Sequence, residues 1–261
     1  MIPLYWVDAF TEHPFGGNPA AVCLLQGPAD ERWMQGLAGE LGLSETAFVW
    51  PEGEARRLRW FTPATEIDLC GHATLAAAHV LCQEGLASPG DVLSFRTRGG
   101  ELTARVEVGS VELDLPTDPP QPVPVPVAHG LGVPVSAACV GALSLVLEVG
   151  DAGTLRSFVP DLDAVAALHH RAVVVTAPGD RVGVDYVLRA FGPRVGIDED
   201  PVTGSAQCTL GPLWTQRLGE RPLEAVQESN RGGRLRVTVV GDRVLVAGAA
   251  ATVLSGTVAP P

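Results

Sequence analysis

The chain repeats itself, and this constrains its fold more than any other feature. Residues 57–68 read RLRWFTPATEID and residues 187–198 read VLRAFGPRVGID. Leu58, Arg59, Phe61, Pro63, Ile67 and Asp68 thus recur as Leu188, Arg189, Phe191, Pro193, Ile197 and Asp198. Further on, RGGELTARV at 98–106 recurs as RGGRLRVTV at 231–239. Two separate matches, in the same order and at nearly the same spacing, describe two copies of one structural unit. The expected layout is an N-terminal half over 1–116, a linker over 117–126 and a C-terminal half over 127–261. Six prolines crowd the eleven residues Pro116–Pro126. That density forbids a helix or a central strand and predicts a stiff spacer.

Each copy has the same coarse grammar. Runs at Ala20–Leu25, Ala47–Trp50, Leu102–Leu115, Ala172–Thr176 and Leu235–Val246 read as strands. After each repeated Phe-x-Pro segment comes a small-residue turn and then a helical run. The first is GHATLAAAHVLCQEG, with Gly85 as its stop. The second is TGSAQCTLGPLWTQRLG, closed by Gly219, and Gly211-Pro212 is expected to bend or break it. A helix as uniformly apolar as the first is buried, so the fold class is α/β, each half a sheet around its helix. Two such halves predict a cleft between them, with the turns before the two helices facing each other across it.

Composition removes several classes of function. All 18 basic residues are Arg. A pyridoxal-phosphate enzyme needs a Lys for its Schiff base and a P-loop needs one for its phosphates, so both are excluded. There is no GxGxxG turn for a dinucleotide and no GxSxG elbow for a hydrolase. A net charge of −12 argues against nucleic acid and against an anionic membrane surface. The five cysteines form no CxxC pair and read as reduced thiols of a cytoplasmic protein. Asp8 and Glu12 interrupt the N-terminus, which does not resemble a signal peptide. The uncharged stretch Gly130–Leu147 carries Pro134, Ser136 and Ser144 and makes a poor membrane span. Cys70, His72, His79 and Cys82 fall within 13 residues, but their spacing fits no common zinc pattern and no metal is expected.

A few polar residues could carry chemistry. Glu45, in LSETAFV, reads either as an exposed acid at a helix–strand turn or as a carboxylate among apolar neighbours whose pKa suits proton transfer. His72 opens the first helix and either caps it or donates to a substrate. Asp200, at the repeat position of Cys70, is an ordinary helix-start residue or a site residue. The small residues at 71–74 and 204–206 leave helix-start amides free for an anion such as a carboxylate. The FGGNP segment reads as a turn ending at Asn18-Pro19, able to line a cleft.

Taken together, VDAFTEHPFGGNPAAV, LSETAFV, RWFTPATEIDLCGHATLAAA, FGPRVGIDEDPVTGSA and QESNRGG resemble the PhzF-like family of phenazine biosynthesis. The resemblance runs from about Val7 to Val258. It implies the diaminopimelate epimerase fold, in which two similar halves flank the active site. It also implies a cofactor-free isomerisation like that of 2,3-dihydro-3-hydroxyanthranilate, with Glu45 moving the proton. His72, Asp200 and Ser205 would orient a small carboxylate-bearing substrate, and the protein would be a homodimer. The catalytic candidates are then Glu45, His72 and Asp200. The substrate-binding candidates are Asn18, Ser44, Gly71, Ala73, Thr74, Gly204 and Ser205. Two alternatives stay open. One is a thiol-based amino-acid racemase or epimerase, disfavoured because Asp200 stands where the second thiol is needed. The other is a binding protein that keeps the fold without the chemistry. Whether Cys70 has a chemical role is likewise open.

Overall fold

The computed structural model describes residues 1–128, 130–142 and 144–261, with the side chains of residues 127 and 128 left aside. It separates into two compact units, one of residues 1–114 with 247–261 and the other of residues 115–246.

In the first unit β1 (Ile2–Ala9) pairs antiparallel with β2 (Asn18–Leu24), which runs parallel to β3 (Glu45–Glu52). β3 turns back into β4 (Ala55–Phe61), flanked by the short β5 (Glu66–Ile67) and parallel to β6 (Val92–Thr97). β7 (Gly100–Glu107) and β8 (Ser110–Pro116) complete the order as hairpin partners. Helix α1 (Glu31–Leu41) lays Met34 and Ala38 against Cys23, Phe48 and Phe61. Helix α2 (Gly71–Gln83) packs against β1, β2, β3 and β7 and buries nine of its residues. With a helix on each face, β2 and β3 read as continuous apolar runs with little alternation. The final strand, Ala250–Val258, pairs with the free edge of β1, from Ile2↔Val258 to Ala9↔Ala250. The repeat places this strand with the C-terminal half, whereas its hydrogen bonds place it in the first unit.

The second unit repeats the pairing logic. β11 (Ser144–Val149) runs parallel to β12 (Ala172–Pro178), which turns back into β13 (Tyr186–Gly192). β13 is flanked by the short β14 (Ile197–Asp200) and runs parallel to β15 (Leu223–Gln227), which pairs with β16 (Gly233–Val240). The recurring residues perform the same tasks. Leu58 and Leu188 are fully buried, as are Phe61 and Phe191. Arg59 stacks over Phe61 at 5.0 Å and grips Glu66, and Arg189 stacks over Phe191 at 5.1 Å and grips Glu199.

Three expectations need correction. The runs Leu102–Leu115 and Leu235–Val246 are each two strands, folded over at Gly109 (φ 78°) and Gly241 (φ 60°). Those backbone angles favour glycine, and they supply the turns. Secondly, Pro212 does not break its helix. A 3₁₀ turn at Gly204–Ala206 runs into α3 (Gln207–Leu218), continuous through the proline. Proline removes the donor that would have reached the Cys208 carbonyl, and the Asp118 amide takes its place at 2.9 Å. Thirdly, the proline-rich segment is tied down. Thr117 donates to the Asp242 carbonyl, and Gln121–Val123 (β9) pairs with Val135–Val140 (β10).

The uncharged stretch Gly130–Leu147 holds β10 and the start of β11, while Leu143 lies outside the described residues. Among the described residues no helix is long and apolar enough to cross a membrane.

Candidate active site

Glu45 owes its position to the end of α1. The N-terminus of that helix is capped by Asp30, which accepts from Trp33 N, and Gly42 stops it in the left-handed region (φ 64°). The chain then reverses through Leu43 and Ser44 into β3, whose first residue, Glu45, pairs with Ala20. The FGGNP turn fixes the neighbouring end of β2. Asp8, itself buried, accepts from Phe15 N at 2.7 Å, and Gly17 (φ 60°) passes so near Ala9 that a Cβ would sit 2.1 Å from its carbonyl oxygen. Asn18 is fully buried as the first residue of β2.

His72 comes from the other direction. Cys70 precedes α2 in extended conformation (φ −147°, ψ 110°), and its carbonyl accepts from the Thr74 amide and hydroxyl. His72, the second helical residue, is carried inward onto β3. Its Nε2 lies 3.1 Å from Glu45 Oε2 and 3.4 Å from Ser44 Oγ. Its Nδ1 lies 3.6 Å from the Cys70 sulfur. All three of Glu45, Cys70 and His72 are buried, at 7%, 6% and 7% exposure. The exposed-acid reading of Glu45 and the capping reading of His72 are therefore set aside.

The electrostatics follow from that burial. Desolvation alone would lower the pKa of His72, but the adjoining Cys70 and Glu45 raise it more, leaving it well above the ordinary 6.5. Desolvation and the Glu45 charge raise the Cys70 thiol, while His72 and the Ala73 amide pull it down; the net direction is upward.

Oxygen, sulfur and nitrogen donors of these three residues lie within 4.8 Å of one another, as a metal site would require. A different nitrogen of the ring faces each of the other two groups. The contacts are those of three proton-bearing groups, each near the other two.

Asp200, Gly204 and Ser205 belong to the second unit. Asp200 closes β14 and accepts from the Thr203 hydroxyl at 2.6 Å, while Thr203 takes the position before the 3₁₀ turn. Asp200 is thus not the helix cap that its sequence context suggests. Gly204 is buried and Ser205 half-buried at the start of that turn. Gln227, fully buried, holds this segment. It donates to the Asp200 carbonyl at 2.6 Å and accepts from Thr203 N at 2.8 Å. Ser229 donates to the Pro201 carbonyl at 2.7 Å. Neither was a candidate, although both sit in the QESNRGG motif. A lone polar residue at a strand end gives no signal until its partner is known.

The sequence matches the phenazine biosynthesis-like (PhzC–PhzF) family over residues 7–256. The chain belongs to this family. It is 42% identical to a protein of Halalkalibacterium halodurans described as an uncharacterised isomerase, over 97% of this chain and 96% of that one. An uncharacterised isomerase of Pseudomonas aeruginosa is 45% identical over 98% of both chains. The crystal structure of a PhzF family protein from Enterococcus faecalis superposes with a TM-score of 0.93 at 42% identity, covering 98% of each chain. A probable proline racemase from Agrobacterium radiobacter shares the fold at a TM-score of 0.65 and 14% identity, covering 99% of this chain and 93% of that one. The α/β architecture is thus the one common to PhzF proteins and the diaminopimelate epimerase-like racemases.

Proposed function

We propose that this PhzF-family protein is an isomerase that shifts a proton on a small carboxylate-bearing substrate, with Glu45 as the acid–base group. One observation carries the reading. A carboxylate buried at the start of an apolar strand is held 3.1 Å from a buried imidazole. A basic partner on one carboxylate oxygen leaves the other to face a reacting carbon. Glu45 would remove a proton from one carbon and return it to another, needing neither metal nor organic cofactor. His72 orients the carboxylate through Oε2. The N-terminal turn of α2, with Gly71, Ala73 and Thr74, would flank the substrate carboxylate, the Gly71 amide donating to it because the Thr74 amide is taken by the Cys70 carbonyl, with Asn18 and Ser44 alongside. Asp200, Gly204 and Ser205 of the second unit are proposed as substrate-contacting residues, held in place by Gln227. The full-length isomerase relatives support the reaction class. A cytoplasmic homodimer belongs to the same proposal, and sedimentation would test the dimer.

The test is proton exchange in heavy water followed by NMR, with a panel of small unsaturated acids and amino acids that includes dihydro-hydroxyanthranilate. Wild type is expected to incorporate deuterium into at least one compound and Glu45→Gln into none. Exchange that survives Glu45→Gln and disappears in Cys70→Ala would overturn the glutamate reading in favour of a thiol-based epimerase. Binding of a panel compound without any exchange would favour a non-catalytic protein.

A further inference from the structure

The proposed reaction leaves the buried thiol beside His72 without a task. Cys70 differs in its surroundings from the chain's core thiols. Cys23 packs among Leu4, Ala21, Leu25 and Met34, and desolvation pushes it up to about 12. Cys139 and Cys208 are pushed up to about 11, also mainly by desolvation. Such thiols behave as small hydrophobes. Cys70 instead points its sulfur at Nδ1 of an imidazole whose other nitrogen faces a carboxylate. An imidazole is rigid and its two nitrogens share one π system, so a proton gained or lost on one side changes what the other side can donate or accept.

We infer that Cys70 is a positioning residue of the active site, coupled to Glu45 both directly and through His72, so that the thiol and the carboxylate take up protons as one system. The inference rests on reading Glu45 as the acid–base group. The thiol holds the Nδ1 side of the ring and thereby fixes how Nε2 presents itself to Glu45. When Glu45 gains a proton from substrate, the charge opposing ionisation of Cys70 falls. When Cys70 ionises, the ring holds its proton more tightly and Glu45 keeps its partner. With separations of 3.6 Å and 3.1 Å, and with the thiol and the carboxylate themselves within 4.8 Å, the three groups are close enough for such mutual effects.

The coupling can be read without turnover. The probe is iodoacetamide, with carbamidomethylation of each cysteine followed by peptide mass spectrometry across a pH series. Wild type, Glu45→Gln and His72→Asn are compared, with the half-exposed Cys82 as internal reference. The quantity read is the pH midpoint of the Cys70 rate, because a midpoint does not depend on accessibility. Glu45→Gln is expected to lower it by roughly one unit and His72→Asn to raise it, while the Cys82 midpoint stays put. A Cys70 midpoint unchanged in both variants overturns the coupling. Should circular dichroism find either variant unfolded, wild type alone decides through the ¹⁵N resonances of the His72 ring. Two inflections with pH are expected from coupled groups, and a single inflection overturns the inference. Loss of coupling with deuterium exchange intact would sink this inference alone, whereas coupling without Glu45-dependent exchange would sink the proposed reaction alone.

Discussion

Nε2 of His72 and Oε2 of Glu45 stand 3.1 Å apart where the second residue of α2 meets the first residue of β3. The pairing has a definite pH signature. The His72 pKa is raised in the folded state, so the ring binds its proton more tightly there than when unfolded. The resulting stability is fully present below the unfolded value of about 6.5 and is lost as pH rises through the folded value. Thermal melts of wild type and His72→Gln should therefore differ most near pH 6 and converge as the solution becomes alkaline. A difference that grows with pH would reverse the assignment.

The twin arginine clamps give a stability prediction. Arg59 and Glu66 are 17% and 11% exposed, and Arg59→Met would leave the carboxylate largely buried without its main partner. The expected cost is about 2–4 kcal/mol in urea denaturation. Arg189→Met should cost a similar amount, because Arg189 makes the same two-pronged contact with Glu199. Hydrogen bonding to Arg59 holds Glu66 below its ordinary 4.5, so the Arg59→Met deficit should shrink as pH falls below that value.

Gly17 should tolerate no side chain. Its backbone is left-handed at φ 60°, and a Cβ would meet the Ala9 carbonyl oxygen at 2.1 Å. Gly17→Ala is expected to lose about 3 kcal/mol or more in chemical denaturation. Gly42→Ala, at φ 64° in open space, should lose only about 1 kcal/mol.

Gln227 offers a test at a distance from Glu45 in the sequence. Gln227→Ala removes its bonds to the Asp200 carbonyl and the Thr203 amide. A cost of about 2–3 kcal/mol in urea melts is expected. Deuterium exchange should slow, with an unchanged pH profile, since the contacts among Glu45, His72 and Cys70 are untouched.

The architecture was readable because its cause is periodic. Duplicated Leu, Arg, Phe and Pro positions mark the same strand and turn twice, and an Ala-rich run such as 72–81 can only be buried. Glu45 and His72 were legible as residue types at element boundaries. Their meeting was not, since it depends on the register that sets Glu45 opposite Ala20. The continuity of α3 was hidden for a related reason. The group that satisfies the Cys208 carbonyl belongs to Asp118, 90 residues earlier, and no local pattern announces it. Cys70 read equally well as core filler until the direction of the His72 ring was known.

The strand that pairs with β1 has a consequence for how the protein comes to life. Residues 115–246 form a contiguous unit able to close on itself while the ribosome is still at work. The unit bearing Glu45 and His72 keeps one edge of β1 open until residues 250–258 emerge. Its longest-range contacts are thus made last, and the slow step of assembly should lie there. Glu45 and His72 are synthesised early yet reach their finished setting only after the other unit has been translated.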